Sequence, residues 1–274
     1  MRGPEEREFT DRDINGPVRL NKYISECGIC SRREADRLIG AGEVTVDGSI
    51  AVSGMKVLPG QEVKVKGKLA VREEEMVILA FHKPAGVVCT TDKRWGDVTA
   101  EEAVGYHKRL FYVGRLDKDS EGLLLMTNDG EILNKIMRAG NYHEKEYEVT
   151  VDKPIDGKFL EGMEKGVPIL DTVTRPCRVR KLGKNRFSII LTQGLNRQIR
   201  RMCEYFGYRV TRLVRTRVMN IRLEGLKSGE YREVTGSELS CLKSMLKDSR
   251  SGPPSGRPGQ KRKIMQKTGG RNGK

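Results

Sequence analysis

The stretch that most constrains how this chain folds is Gly114 to Gly130, GRLDKDSEGLLLMTNDG. Leu123, Leu124, Leu125 and Met126 form an unbroken apolar run, closed by Asn128-Asp129-Gly130. Such a run, bounded by turn residues, reads as a short strand buried on both faces that ends in a tight turn. The charged cluster before it (Arg115, Asp117, Lys118, Asp119, Glu121) is then a polar loop held against the interior. Loops fixed in that way are where side chains for chemistry are usually presented. On composition alone, the same cluster reads rather as a β-turn with a solvated charge run.

A metal reading of the loop fails on spacing. Asp117, Asp119, Glu121 and Gly122 match the opening of a calcium loop, but its twelfth position, which needs a bidentate Glu, holds Asn128. Four consecutive apolar residues are also poor company for a hydrated cation. No metal is expected.

Charge points to the partner. The 274 residues carry a net charge of +15, and this favours a polyanion. Eight of those charges lie in 249–274 with no acid among them, which leaves +7 on residues 1–248. The final stretch is rich in Gly, Pro and Ser, so 247–274 reads as a disordered basic tail, serving either phosphate attraction or solubility. Residues 1–16 read as a loose N-terminal arm. No apolar run approaches a membrane span and no signal peptide opens the chain. Six cysteines without a secretory context imply a reducing cytoplasm, and Cys27 and Cys30 form a CxxC with no second pair, so a structural role is expected.

Between Pro17 and Lys68, Leu20, Tyr23 and Ile24 recur at helical spacing. Ser31 with Glu34 then gives a capping-box signature for a second helix. That helix turns Ala35, Leu38 and Ile39 inward and Arg32, Arg33 and Arg37 outward. Val44 and Val46, the Asp47-Gly48 turn, and Val63 and Val65 supply short alternating strands. Cations crowding a helix N-terminus oppose the helix dipole, so an anionic ligand such as phosphate is expected there. Residues 69–76 read as a linker. Val77 to Phe81 is an apolar strand ahead of the loop Lys83-Pro84-Ala85-Gly86. Trp95 is available to stack on a base if exposed. Glu131 to Met137 reads as a short helix. KEYEVTVD alternates with period two and points Tyr147, Val149 and Val151 to one side. In NRQIRRMCEYFGY, Ile199, Met202, Cys203 and Phe206 mark an amphipathic helix, with Asn196 as its N-cap and Gly207 as its stop. Strands on either side of Gly183-Lys184-Asn185 and after Thr211 complete the reading, and Arg212, Arg215 and Arg217 are expected on an exposed rim.

These motifs, in this order, resemble the RsuA-type pseudouridine synthases. The two helices and hairpin at 17–68 are similar to an S4 (αL-type) RNA-binding domain. KPxG at Lys83, GRLD at Asp117, KxY at Lys145 and Tyr147, and NRQIRR at Asn196 resemble the four motifs of the catalytic domain. The resemblance spans about 17–240 and implies an α+β fold: the S4 domain, then a synthase domain over 77–246 with a large, mainly antiparallel sheet. It implies an isomerase that needs no cofactor and converts one uridine to pseudouridine in large-subunit (23S) ribosomal RNA near the peptidyl-transferase region. A tRNA anticodon stem-loop is a second candidate substrate. It makes Asp117 the catalytic residue, pairs Arg200 with it, and packs Tyr147 on the target base. Contact with RNA is expected from Arg19, Lys22, Arg32, Arg33, Arg37, Lys83, Arg115, Lys145, Asn196, Arg197, Gln198, Arg215 and Arg217. Arg115 has a structural alternative, a salt bridge to Asp119 or Glu121. A cytoplasmic monomer is implied.

The chemistry breaks N1–C1′ and joins C5 to C1′, with a carboxylate acting as nucleophile at C1′ or as base at C2′. The residues do not separate these routes. Two other functions suit the same sequence: a noncatalytic RNA-binding or ribosome-assembly protein, and a glycosidic hydrolase, which would need a second placed carboxylate.

Overall fold

The structure is a computed structural model and describes residues 16–72, 75–90 and 96–249. The expected N-terminal arm, most of the tail and Trp95 lie outside the described residues. Helices α1 (Leu20–Glu26) and α2 (Arg32–Gly40) bury Leu20, Tyr23 and Ile24 against Ala35, Leu38 and Ile39. Ser31 accepts a hydrogen bond from the Glu34 amide at 3.2 Å, while the Glu34 carboxylate turns to Arg37 rather than back to the cap. The capping box is therefore half formed. Asp47 and Gly48 both take positive φ (50° and 79°), the geometry that matches the twist of a two-residue hairpin. That hairpin joins Val44–Val46 to Ser49–Ile50 in a four-stranded sheet with Val63–Val65 and Lys68–Leu69. These elements share one core, which Cys27 and Cys30 flank as free thiols. Burial pushes the Cys27 thiol up to about 12, so it stays protonated and inert.

The rest of the chain is built on a nine-stranded sheet. Its main path runs Arg178–Lys181, Arg186–Leu191, Lys145–Val151, Val210–Val218, Glu121–Thr127, Ile78–Lys83, Tyr231–Glu233. Every pairing is antiparallel except that of Val210–Val218 with Glu121–Thr127. The apolar run is the central strand and is buried on both faces. Leu123 and Leu125 enter one core with Ile132 and Ile136 of α4 (Gly130–Met137) and Leu242 of α7 (Gly236–Met245). Leu124 and Met126 enter the core on the opposite face with Ala100 and Val104 of α3 (Ala100–Val104). Helices α5 (Gly157–Lys165) and α6 (Gln198–Tyr205) cover a further core over the other half of the sheet.

Three helices, α3, α5 and α7, were not anticipated. The first is one turn long, and α7 buries only Leu242. Nor does Asn128-Asp129-Gly130 form a free tight turn. Asp129 accepts from the amides of Glu131 (2.7 Å) and Ile132 (3.0 Å) and caps α4. Asp is equally at home in either setting, and the tertiary cover offered by α4 decides between them.

Candidate active site

The central strand has one partner along its whole length on one side and two on the other. Ile78–Lys83 follows it from Gly122 to Thr127. Opposite, Phe111–Val113 pairs with its C-terminal half and Val210–Val218 with only Glu121 and Gly122. The two partners diverge, and the Gly114–Ser120 loop emerges from the fork. A fork leaves backbone groups without a ladder partner, which is costly in a dry interior. Arg215 fills it: its Nε donates to Leu123 O at 2.7 Å and its Nη2 to Gly114 O at 2.9 Å. At 1% exposure it is a core residue rather than part of an exposed rim. Gly122 is required here. It has φ of +107°, and a Cβ would lie 2.4 Å from Arg215 O.

The loop is then tied from two sides. The Ser120 amide donates to Asp117 O at 3.0 Å, and the Gly86 amide of the KPAG segment donates to Lys118 O at 2.8 Å. Lys83 organises that segment by donating to Pro84 O and Val87 O, both at 2.7 Å. From the other side Arg200, 7% exposed, donates to Asp119 O and Ser120 Oγ, each at 3.3 Å, and to Val210 O. Arg200 thus holds the backbone that carries Asp117. The cation beside the Asp117 carboxylate is Arg197, whose Nη1 lies 3.5 Å from Oδ2. The expected ion pair between Arg200 and Asp117 is replaced by this one. Arg200 is buried under the loop among carbonyl acceptors, while Arg197 stands at the cleft mouth.

Arg197 reaches that position through a backbone feature that residue spacing did not announce. It, not Asn196, precedes the first residue of α6, and it does so in the left-handed region (φ 48°, ψ 36°) with no side-chain cap. Non-glycine residues hold that conformation only where their surroundings impose it, often at functional sites.

Asp117, Lys145, Tyr147, Arg197, Arg200 and Arg215 all line one open cleft of about 510 Å³. The cleft's position follows from the cores, because Tyr147 packs against both the α3 side and the α5/α6 side of the sheet. Leu191, Leu195 and Leu213 give the cleft apolar walls, and Gln193, Asn196 and Gln198 line it on the side of the segment that leads into α6. The arrangement offers a carboxylate, a flat ring and several cations within one space the size of a nucleoside site.

Residues 77–205 match the family model of RNA pseudouridylate synthase, and residues 18–63 match the S4 domain. The dual-specificity RNA pseudouridine synthase RluF of Escherichia coli (strain K12) is 55% identical over 236 residues, covering 85% of this chain and 81% of the relative. The chain belongs to the RNA pseudouridylate synthase family. The ribosomal large subunit pseudouridine synthase B of Bacillus subtilis (strain 168) is 35% identical over 235 residues, covering 83% of this chain and 96% of that protein. A crystal structure of a pseudouridylate synthase aligns with a TM-score of 0.62 at 29% identity, covering 82% of this chain and 99% of that one. The fold is accordingly α+β with an N-terminal S4 domain, and the enzyme is an isomerase acting on RNA.

In this synthase the residues expected at RNA divide into three groups. Arg19, Arg32, Arg33, Arg115, Asn196 and Arg197 are exposed. Arg115 forms neither of the salt bridges open to it, since Asp119 faces Arg197 and Glu121 faces Arg212. Arg37 is exposed but paired with Glu34, and Lys22 is paired with Glu26 at 3.4 Å. The third group corrects the expectation. Lys83 is fully buried and holds carbonyls. Gln198 is 4% exposed, and its side-chain oxygen accepts from the Leu195 amide. Arg217 is locked between Glu144, Glu146 and Met219 O. With Arg215, these side chains build the site's frame. Lys145, like Gln198 and Arg215, is buried and lines the cleft, but its ammonium has no hydrogen-bond or ion-pair partner among the described residues. Among the described residues no helix is long and apolar enough to cross a membrane.

Proposed function

We propose that Asp117 is the reacting carboxylate of this isomerase, that Tyr147 receives the flipped uracil, and that Arg197 and Arg200 hold Asp117 and its loop in place. The observation that carries this reading is the convergence of Asp117 and Tyr147, thirty residues apart in sequence, on the walls of one cleft with cations behind them. A uridine in structured RNA must first leave its stack, at a few kcal/mol, and a flat side chain at the pocket wall offsets part of that cost. Asp117 then bonds C1′ or removes the C2′ proton as N1–C1′ breaks. Arg197, 3.5 Å from Asp117 Oδ2, holds the carboxylate at the cleft wall for either route.

The target we assign is a uridine of large-subunit ribosomal RNA in the peptidyl-transferase region, with a tRNA anticodon stem-loop as second substrate. Support comes from the similarity to an enzyme described as dual-specificity and to one described as acting on the ribosomal large subunit. We assign residues 17–68 to the S4 domain, 69–76 to a linker and 77–246 to the catalytic domain of a cytoplasmic monomer. The exposed Arg32 and Arg33 at the start of α2 are its phosphate contacts.

The test maps pseudouridines in ribosomal RNA and tRNA from cells lacking this protein, with complementation by wild type and by Asp117→Asn. The expected result is the loss of a mapped site that only wild type restores. Restoration by Asp117→Asn would overturn the role of Asp117, and an unchanged map would overturn the target.

A further inference from the structure

Four cations line or brace the cleft from inside the protein, and three of them donate to acceptors of the protein itself, although the buried Nε of Arg200 has none. Lys83 holds two carbonyls, Arg215 holds Leu123 O and Gly114 O, and Arg200 holds Val210 O, Asp119 O and Ser120 Oγ. The fourth is Lys145. It is 7% exposed, and its ammonium has no hydrogen-bond or ion-pair partner among the described residues. The strand that carries it is paired on both sides, with Leu191 and Val218 opposite Lys145, so the side chain leaves a rigid frame. It stands on the same strand face as Tyr147, two residues on, with the apolar Leu191 and Leu213 also lining the cleft. An ammonium on a side chain this buried is costly without an acceptor, and the cleft that it lines is where one can enter.

We propose that Lys145 is a catalytic residue of the isomerisation, donating to the uracil ring and holding the negative charge that the ring acquires when N1–C1′ breaks. This rests on Asp117 being the reacting carboxylate. The charge balance is the same on either route. The electron pair of N1–C1′ stays with N1, while Asp117 either bonds C1′ through an oxygen or takes the C2′ proton. The carboxylate thereby loses its charge, and the uracil gains one negative charge spread over N1, O2 and O4. The ring turns, C5 gives an electron pair to C1′, the C5 proton is lost, and N1 ends protonated. Asp117 is released as a carboxylate and nothing is added or removed overall. One unit of charge thus crosses from the Asp117 side of the cleft to the Tyr147 side and back. A fixed cation in an apolar setting on the receiving side stabilises the transition state more than the ground state. Burial, with the like charge of Arg215, lowers the Lys145 pKa to about 8, which leaves the ammonium the main form at neutral pH.

The experiment uses the full-length enzyme and a transcript of the RNA segment that loses its pseudouridine in cells lacking the protein. The transcript is made with uridine or with 5-fluorouridine. Fluorine withdraws charge from the ring and makes it a better leaving group, so it replaces part of what the ammonium supplies. Under single-turnover conditions Lys145→Met is expected to slow N1–C1′ cleavage of the uridine RNA by about 10²–10³-fold, the range for removing one such donor. RNA affinity is expected to change by less than about threefold, because the contact strengthens only in the transition state. The 5-fluorouridine RNA should recover about tenfold or more of the lost rate relative to wild type. A melting temperature at or above that of wild type certifies that the variant is folded. Equal slowing of both RNAs would overturn the proposal in favour of a packing role. A weakened affinity with an unchanged rate at saturation would overturn it in favour of a phosphate contact. A wild-type enzyme that converts neither transcript would overturn the assigned function, and this proposal with it.

Discussion

The unpartnered Lys145 has a consequence for stability that needs no RNA to test. Burial, and secondarily the like charge of Arg215, lower its pKa from the ordinary 10.5 to about 8. A lysine whose pKa falls on folding binds its proton less tightly in the folded state, so keeping it charged weighs against the fold. That cost is complete below pH 8, where both states are protonated, and it disappears as pH rises to 10.5, where both are neutral. At about 1.4 kcal/mol per pH unit the gap corresponds to roughly 3 kcal/mol, a ceiling because water entering the open cleft screens the ammonium. Lys145→Met removes the charge and keeps the length. Urea unfolding of the RNA-free protein at pH 7 should therefore show the variant more stable than wild type, by up to about 3 kcal/mol. The difference should shrink through the window from pH 8 to 10.5, as the unfolded wild type loses the proton that its folded form has already given up. A variant less stable than wild type, or an advantage independent of pH, would refute the reasoning. The first result would mean that the ammonium has an acceptor within the fold, and the second that the gain comes from the apolar contacts of Met rather than from the removed charge.

Other perturbations test the frame around the cleft. Gly122→Ala places a Cβ 2.4 Å from Arg215 O at a φ of +107°, and unfolding measurements should show a loss above about 3 kcal/mol. A loss under about 1 kcal/mol would mean that the two strands do not meet as closely as described. Arg200→Ala removes the donor to Asp119 O and Ser120 Oγ and should cost about 2–4 kcal/mol, lowering kcat more than it raises KM. Ser120→Ala should cost only about 1 kcal/mol, and an equal loss in the two variants would contradict the clamp. Arg32→Ala and Arg33→Ala should each weaken RNA binding and reduce the slope of log affinity against log salt by about 1. An unchanged slope would show that this face of α2 does not touch phosphate.

The sequence disclosed those features that depend on local pattern. The apolar run Leu123–Met126 had no polar face to offer, and it became the central strand with alternate residues in opposite cores. Alternation in KEYEVTVD put Tyr147 at the cleft, and the spacing in NRQIRRMCEYFGY drew α6 to within two residues. What escaped was tertiary in origin. Arg212, Arg215 and Arg217 look alike in a strand of alternating residues, yet Arg215 is drawn inside by a fork created by elements about a hundred residues earlier. Arg217 is neutralised by Glu144 and Glu146 across the adjacent strand. The left-handed turn at Arg197 had no glycine or asparagine at that position to announce it, and it decides which arginine faces Asp117. One trace was available. A glycine between Glu121 and Leu123, where a strand former would be expected, signals close backbone approach, and Gly122 lies against Arg215.

The same distinction governs how the charge of +15 should be read. A count of basic residues near the motifs treats each as available to RNA, although a guanidinium that already donates to carbonyls or carboxylates releases no counterion when RNA arrives. Lys83, Arg200, Arg215 and Arg217 are engaged in this way, and their work is to hold a loop, a fork and a strand pair in position. The free cations are those at the cleft mouth and on α2, Arg115, Arg32 and Arg33 among them, where phosphates outside the reacting nucleotide would pass. Affinity and chemistry are therefore assigned to different cations: exposed ones that bind the backbone of any RNA, and buried ones that shape a pocket for a single base. Lys145 belongs to the second set by burial, and among the described residues it is the member of that set that donates to no protein acceptor at all.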